Sequence, residues 1–156
     1  MNRIWLIIFL FPLLASCCVN KSADEGTRCI LYKDGDAILM SEPDPLISVA
    51  MEIVEGCDDV LRLAVLPEMI DSLKAKDTAL EIIFEDTIEI DSPFGRKVEA
   101  NNILIPLSGE FGPSTEMSSA MVLFGVDTYE NGPFQNRFAR PHLIKLRQLL
   151  NLDEAY

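Results

Sequence analysis

Histidine is all but missing from this chain: His142 is the only one. Any Ser-His-acid or Cys-His nucleophile system would have to use it. No Gly-x-Ser-x-Gly elbow and no activated-cysteine signature goes with it. Zinc sites need Cys and His paired at short spacing, and that is missing too. His142 follows Pro141 at the start of a predicted helix, where a capping or surface role is the ordinary one. Cations are also scarce. Lys and Arg number 13 against 25 Asp and Glu, for a formal net charge of -12. A phosphate backbone is repelled by such a surface, which excludes nucleic acid as a partner. The leading apolar run, Ile4–Leu14, is short of the roughly 20 residues that a membrane-spanning helix needs. There is no internal repeat and no low-complexity tract. What is present suits one folded domain: 156 residues, 49% hydrophobic and 24% charged, the reverse of the balance that keeps chains disordered.

The N-terminus has the layout of an export signal. Arg3 precedes the apolar run, which ends in Leu14-Ala15-Ser16-Cys17. That ending, a branched apolar residue, two small residues and Cys, resembles the lipobox of bacterial lipoprotein precursors. The resemblance covers the signal alone. It implies cleavage between Ser16 and Cys17 and attachment of diacylglycerol to the Cys17 thiol. The membrane would then be a partner through that lipid. Two or three acyl chains anchor durably, where one would bind marginally. Cys18 follows where enteric-type sorting would need Asp for retention at the inner membrane, so the resemblance implies the outer membrane, facing the periplasm. The expected organisation is a signal peptide at 1–16, a lipidated polar tether at 17–28 and a single domain at 29–152.

Within that domain the patterns predict an α+β fold, a mostly antiparallel sheet with two or three helices. Asp34-Gly35 between the short apolar runs 29–33 and 37–40 signals a hairpin. Asp44 and Pro45 offer a cap and a first helical residue, and Leu46, Val49, Ala50 and Ile53 follow at helical spacing up to Gly56. Val60–Leu66 is apolar enough for a buried strand, with a helix as the alternative, and Pro67 opens a short helix. Leu80–Ile90 is the clearest strand: Leu80, Ile82, Phe84, Ile88 and Ile90 share one parity. Asp86 interrupts that parity and marks a bend or bulge. Ile103–Leu107 and Ala120–Val126 are further strands, and Tyr129–Gln135 reads as a turn-rich loop. Pro141 opens a last helix with Leu143, Leu146, Leu149 and Leu150 on one stripe.

The chemistry-bearing groups are mostly carboxylates. Glu81, Glu85, Glu89 and Asp91 fall on the opposite parity of the long strand, about 13 Å apart per four residues. That is too far for the glutamates to chelate one ion, but it suits a basic protein surface. The bland alternative is a solvated face that protects the sheet. Asp34, Asp36, Glu42 and Asp44 lack the remaining oxygen ligands of a calcium loop and read as turn chemistry. Glu55, Asp58 and Asp59 read as a solvated loop. Cys29 and Cys57 either bridge, as an exported domain permits, or pack as two separate thiols. Tyr129, Asn131, Gly132, Pro133, Phe134 and Asn136 form a loop composition that either binds or packs a long connection onto the core. No cofactor, metal or catalytic residue is expected. The sequence points to a lipid-anchored envelope protein that binds a basic protein without enzymatic activity. The alternatives are a structural envelope component and a small carboxylate-dependent hydrolase.

Overall fold

The structure is a computed structural model, and it describes residues 26–91, 95–114, 116 and 118–152. The signal, Cys17 and the tether up to residue 25 lie outside the described residues. Among the described residues the first strand starts at Arg28, the last residue assigned above to the tether. The elements are β1 (Arg28–Lys33), β2 (Asp36–Leu39), α1 (Pro43–Glu55), β3 (Asp59–Val60), α2 (Pro67–Lys76), β4 (Ala79–Asp91), β5 (Lys97–Pro106), β6 (Ala120–Gly125), β7 (Asn131–Asn136) and α3 (Arg140–Leu149). All seven strands join one sheet in the order β2-β1-β4-β5-β6-β7-β3, and every pairing is antiparallel. The expected α+β architecture is therefore the observed one, with three helices.

The β1–β2 hairpin turns on Asp34 and Gly35, both at positive φ (54° and 85°). That is the tight hairpin geometry which matches strand twist, and Asp-Gly is its usual sequence. In α1, Leu46, Val49, Ala50, Ile53 and Val54 are buried, and Gly56 ends the helix as its spacing predicts. The start differs from expectation: the helix opens at Pro43, behind Glu42, with no side-chain cap. Proline tolerates a first-turn position because its missing N–H would have had no helical partner anyway.

The sheet has two covered faces. On one, Leu80 and Ile82 of β4, Ile103 and Ile105 of β5, and Val122 and Phe124 of β6 meet α1 and α3 in the main core. On the other, Ile70 and Leu73 of α2 cover Ala79, Leu104, Met121 and Leu123. β6 is buried along its whole length, as a continuously apolar strand covered on both faces should be. Beyond Ile83 the β4–β5 pair leaves the other strands as a two-stranded arm. Its register shifts between Ile83 and Ile88, around the parity-breaking Asp86. The arm keeps Phe84, Ile88, Ile90, Val98 and Ala100 against the main core.

Three sequence expectations are corrected. Of Val60–Leu66, only Val60 is in a strand, and the segment 61–66 is irregular. Its side chains supply Leu61 and Val65 to the smaller core, and its link to β7 ends with the Leu61 N–H donating to the Pro133 carbonyl at 2.9 Å, so the apolar run reflects packing more than strand pairing. The expected 129–135 loop contains strand β7, whose Phe134 stacks on Phe124 with ring centroids 4.5 Å apart. Leu149 stands 39% exposed, while Leu143, Leu146 and Leu150 are buried as expected and Arg147 joins them. Arg147 reaches inward to donate to the carbonyls of Leu107 and Leu152.

Candidate functional site

The most unusual chemistry lies under α2. Glu81 shares a sheet face with Ala79 and Leu104, and α2 covers that face, so the carboxylate is buried at 4% exposure. It was expected on an exposed acidic face with Glu85, Glu89 and Asp91. That expectation fails for Glu81 because period-two parity says which residues share a face and not what covers it.

Three donors converge on the buried carboxylate. Tyr32 lies one rung from Glu81 on neighbouring β1, on the same face, and its hydroxyl donates at 2.6 Å. Tyr129, from the β6–β7 connection, donates its hydroxyl to Oε1. Lys74 reaches down from α2, with Nζ 2.6 Å from Oε1. The ammonium sits 5.0 Å from the Tyr32 ring centre and 5.3 Å from that of Tyr129, within cation–π range of both. Burial is the largest single influence on Glu81 and pushes its titration up. Hydrogen bonds from Lys74, Tyr129 and Tyr32, with the Lys74 charge, together outweigh it and hold the carboxyl below its usual range. Burial, then the hydrogen bond and charge of Glu81, push Tyr32 well above a usual phenol. Burial and the Glu81 charge do the same to Tyr129. The cluster is a charge-balanced pair with two neutral donors.

Beside this cluster opens a pocket of about 430 Å³. Its lining includes the half-buried Lys74 and Tyr129 and the apolar Val65, Leu66 and Ile70. Asp71, Asp127 and Glu130 are exposed around it. Asp127 accepts a hydrogen bond from Asn101 Nδ2 at 3.1 Å. Among the described residues none of these three carboxylates is in an ion pair. The adjoining apolar seam, which includes Leu63, Met69 and Phe111, offers only about 10 Å³, too little for an organic ligand.

Glu85, Glu89 and Asp91 do share an exposed surface, the outer face of the arm, and Glu99 of β5 joins them. Glu89 lies directly opposite Glu99 in the register, while Lys97 pairs with Glu89 at 2.6 Å. Cys29 and Cys57 are both free and buried. Cys29 Sγ faces the Pro43 carbonyl at 4.0 Å and Cys57 Sγ faces the Ile53 carbonyl at 3.6 Å. The bridge considered above is therefore not formed, and the separate-thiol alternative holds. Burial pushes each thiol up to about 12, which leaves almost no thiolate at neutral pH.

His142 joins α3 to α1 through Nδ1, 2.9 Å from Glu52 Oε2. Asp58 binds the backbone N–H and the guanidinium of Arg137, closing the loop after α1 onto the end of β7. Phe134 and Asn136 of the expected binding loop point into the fold and are buried. The sequence reading missed Lys74, Tyr32, Asp71, Asp127 and Glu130. Their proximity depends on α2 lying over β1 and β4, which no local pattern encodes. Among the described residues no helix is long and apolar enough to cross a membrane, and no three His, Cys, Asp or Glu side chains are grouped to hold a metal. No family model matches the chain, and neither a curated protein nor a solved structure shows significant similarity to it.

Proposed function

We propose that this is a lipid-anchored, non-enzymatic binding protein of the bacterial envelope that engages a basic protein through its acidic surfaces. One observation carries the reading. The outer face of the β4–β5 arm exposes Glu85, Glu89, Asp91 and Glu99 together, with Glu89 placed directly across from Glu99. Like charges directly opposite destabilise a sheet. Lys97, which pairs with Glu89 and lies opposite Asp91, offsets the charge of those two and leaves Glu85 and Glu99 without an ion pair among the described residues. A basic partner would relieve the remaining repulsion and be steered to the arm by its field. The anchoring part of the reading rests on the resemblance of Leu14-Ala15-Ser16-Cys17 to a lipobox.

The test is a crosslinking capture from the native envelope at low and high salt. The wild type is compared with Glu85→Lys/Asp91→Lys/Glu99→Lys, and the intact mass of the bait is recorded. The reading expects a basic protein that is lost at high salt and lost from the reversed variant, on a bait whose mass fits a diacylated Cys17. An identical partner set from both baits would overturn the binding reading. Unchanged membrane association and processing in Cys17→Ala would overturn the anchor.

A further inference from the structure

The pocket beside Glu81 has a charge pattern that specifies its ligand. Its lining carries a cation, Lys74, but that charge is already neutralised by Glu81 at 2.6 Å. The three surrounding carboxylates have no such compensation: Asp71, Asp127 and Glu130 are in no ion pair among the described residues. The site is therefore net negative, and phosphate, sulfate or carboxylate ligands are disfavoured. A point cation fits badly too, because these carboxylates are not grouped closely enough to hold a metal ion. The remaining complement is an extended organic cation with an apolar stem. The lining provides for the stem: it includes Leu66, 53% exposed, and the buried Ile70.

We propose that this pocket receives an arginine side chain from a basic partner protein. The methylenes lie along Leu66 and Ile70, and the guanidinium is directed to Asp71, Asp127 and Glu130. Arginine suits the site better than lysine. Its five donors in a planar fork can serve several separated acceptors at once, and it sheds water more readily than an ammonium. The volume of about 430 Å³ accommodates a whole side chain with water around its head. Anchors of this kind, a long side chain in a preformed pocket, commonly dominate interface energetics. The inference rests on the basic-partner reading above and adds to it a second contact surface, separate from the arm.

The test uses the exported chain, ¹⁵N-labelled and purified in detergent, titrated with acetyl-Gly-Arg-Gly-amide and followed by amide chemical shifts. The control peptide carries citrulline, which keeps the shape and loses the charge. The expected result is saturable shifts at Lys74, Thr128, Tyr129 and Glu130, with the citrulline peptide at least tenfold weaker. Asp71→Asn/Glu130→Gln should weaken the arginine peptide by about tenfold or more, while the arm-reversed variant binds it like wild type. Both sets of substitutions are at exposed positions, and the unperturbed remainder of each spectrum reports that the fold is intact. Equal binding of the two peptides, no saturable shift, or shifts confined to the arm would overturn the proposal. Failure of the peptide beside a salt-sensitive envelope partner that needs the arm would remove the pocket and leave the basic-partner reading standing. Pocket binding without any envelope partner would remove that reading, and with it a protein as the source of the arginine.

Discussion

Replacing Glu81 with Gln keeps the shape of the buried side chain and removes its charge. Lys74 then faces a neutral amide, and the hydroxyls of Tyr32 and Tyr129 lose a charged acceptor. Breaking a buried ion pair from one side costs about 3–5 kcal/mol, mostly from the charge left behind. Here that charge is Lys74, whose side chain is 23% exposed against 6% for Glu81. Partial access to water lowers the expected loss to about 2–3 kcal/mol. Lys74→Met strands the more deeply buried partner, so it should cost at least as much. The double variant should lose less than the sum of the singles by about 1–2 kcal/mol, since the pair is in direct contact. Urea unfolding measures this, with far-UV circular dichroism as the probe, because the chain's one tryptophan, Trp5, precedes the described residues and reports on none of these contacts. A slope of about 1–2 kcal/mol per molar urea turns the Glu81→Gln loss into a midpoint shift of roughly 1–3 M.

The pH dependence supplies an independent check. Glu81 titrates lower in the folded state than its usual value. Its contribution is thus fully present above the unfolded value of about 4.3 and is lost as pH falls through the depressed folded value. The gap between wild type and Glu81→Gln should stay constant from about pH 8 to pH 5 and narrow below about pH 4. A Glu81→Gln midpoint equal to wild type at pH 7, or a gap unchanged down to pH 3, would refute the charge-balance argument.

Alkaline titration followed at 295 nm should find Tyr32 and Tyr129 un-ionised well above pH 10, ionising only with unfolding; normal titration of all three tyrosines of the chain would contradict their contact with Glu81. Both raised phenols contribute stability that is present below the unfolded value of about 10 and is lost as pH rises toward their folded values. Gly56→Ala should cost about 2 kcal/mol in urea unfolding, because the added Cβ would lie 2.4 Å from Asn136 Nδ2, which donates to the Ile53 carbonyl at 2.9 Å. Cys29 and Cys57 should resist a thiol reagent at pH 8 in the native protein and react together on unfolding. Their thiol count should be the same with and without reductant, as follows from free, buried thiols pushed up to about 12.

Local signals in the sequence carried far. Asp34-Gly35 named the hairpin, Gly56 the end of α1, and Asp86 the irregularity in β4, because each reflects backbone chemistry confined to a few residues. The parity of β4 also correctly separated Leu80, Ile82 and Ile90 from Glu85, Glu89 and Asp91. It misplaced Glu81 because both faces of the sheet are covered near Ala79, and only the inner half of α2 (Ile70 and Leu73) shows what covers the second one. The pocket was illegible for the same reason. Asp71 and Lys74 come from a helix and Asp127 and Glu130 from a connection more than fifty residues later, and their meeting is a product of strand order. The segment 61–66 misled in the other direction: its apolar content is real, but its pairing with β7 runs out at Leu61, opposite Pro133, which has no N–H to return a ladder bond.

The position of β1 also sets how the fold answers to force. The chain enters the sheet at Arg28, on a strand bonded on both sides, to β2 and to β4. Arg28 pairs with Ile83, at the base of the arm, while Tyr32 pairs with Ala79, at the far end of the ladder. A load between the chain preceding Arg28 and the arm would pull at one end of the β1–β4 ladder, opening its bonds one after another. The same load applied at the pocket side, toward Tyr32, would draw β1 lengthwise, so that the ladder bonds share the strain and break together. The β1–β4 ladder would therefore yield at a lower tension to a load borne by the arm than to one borne at the pocket side.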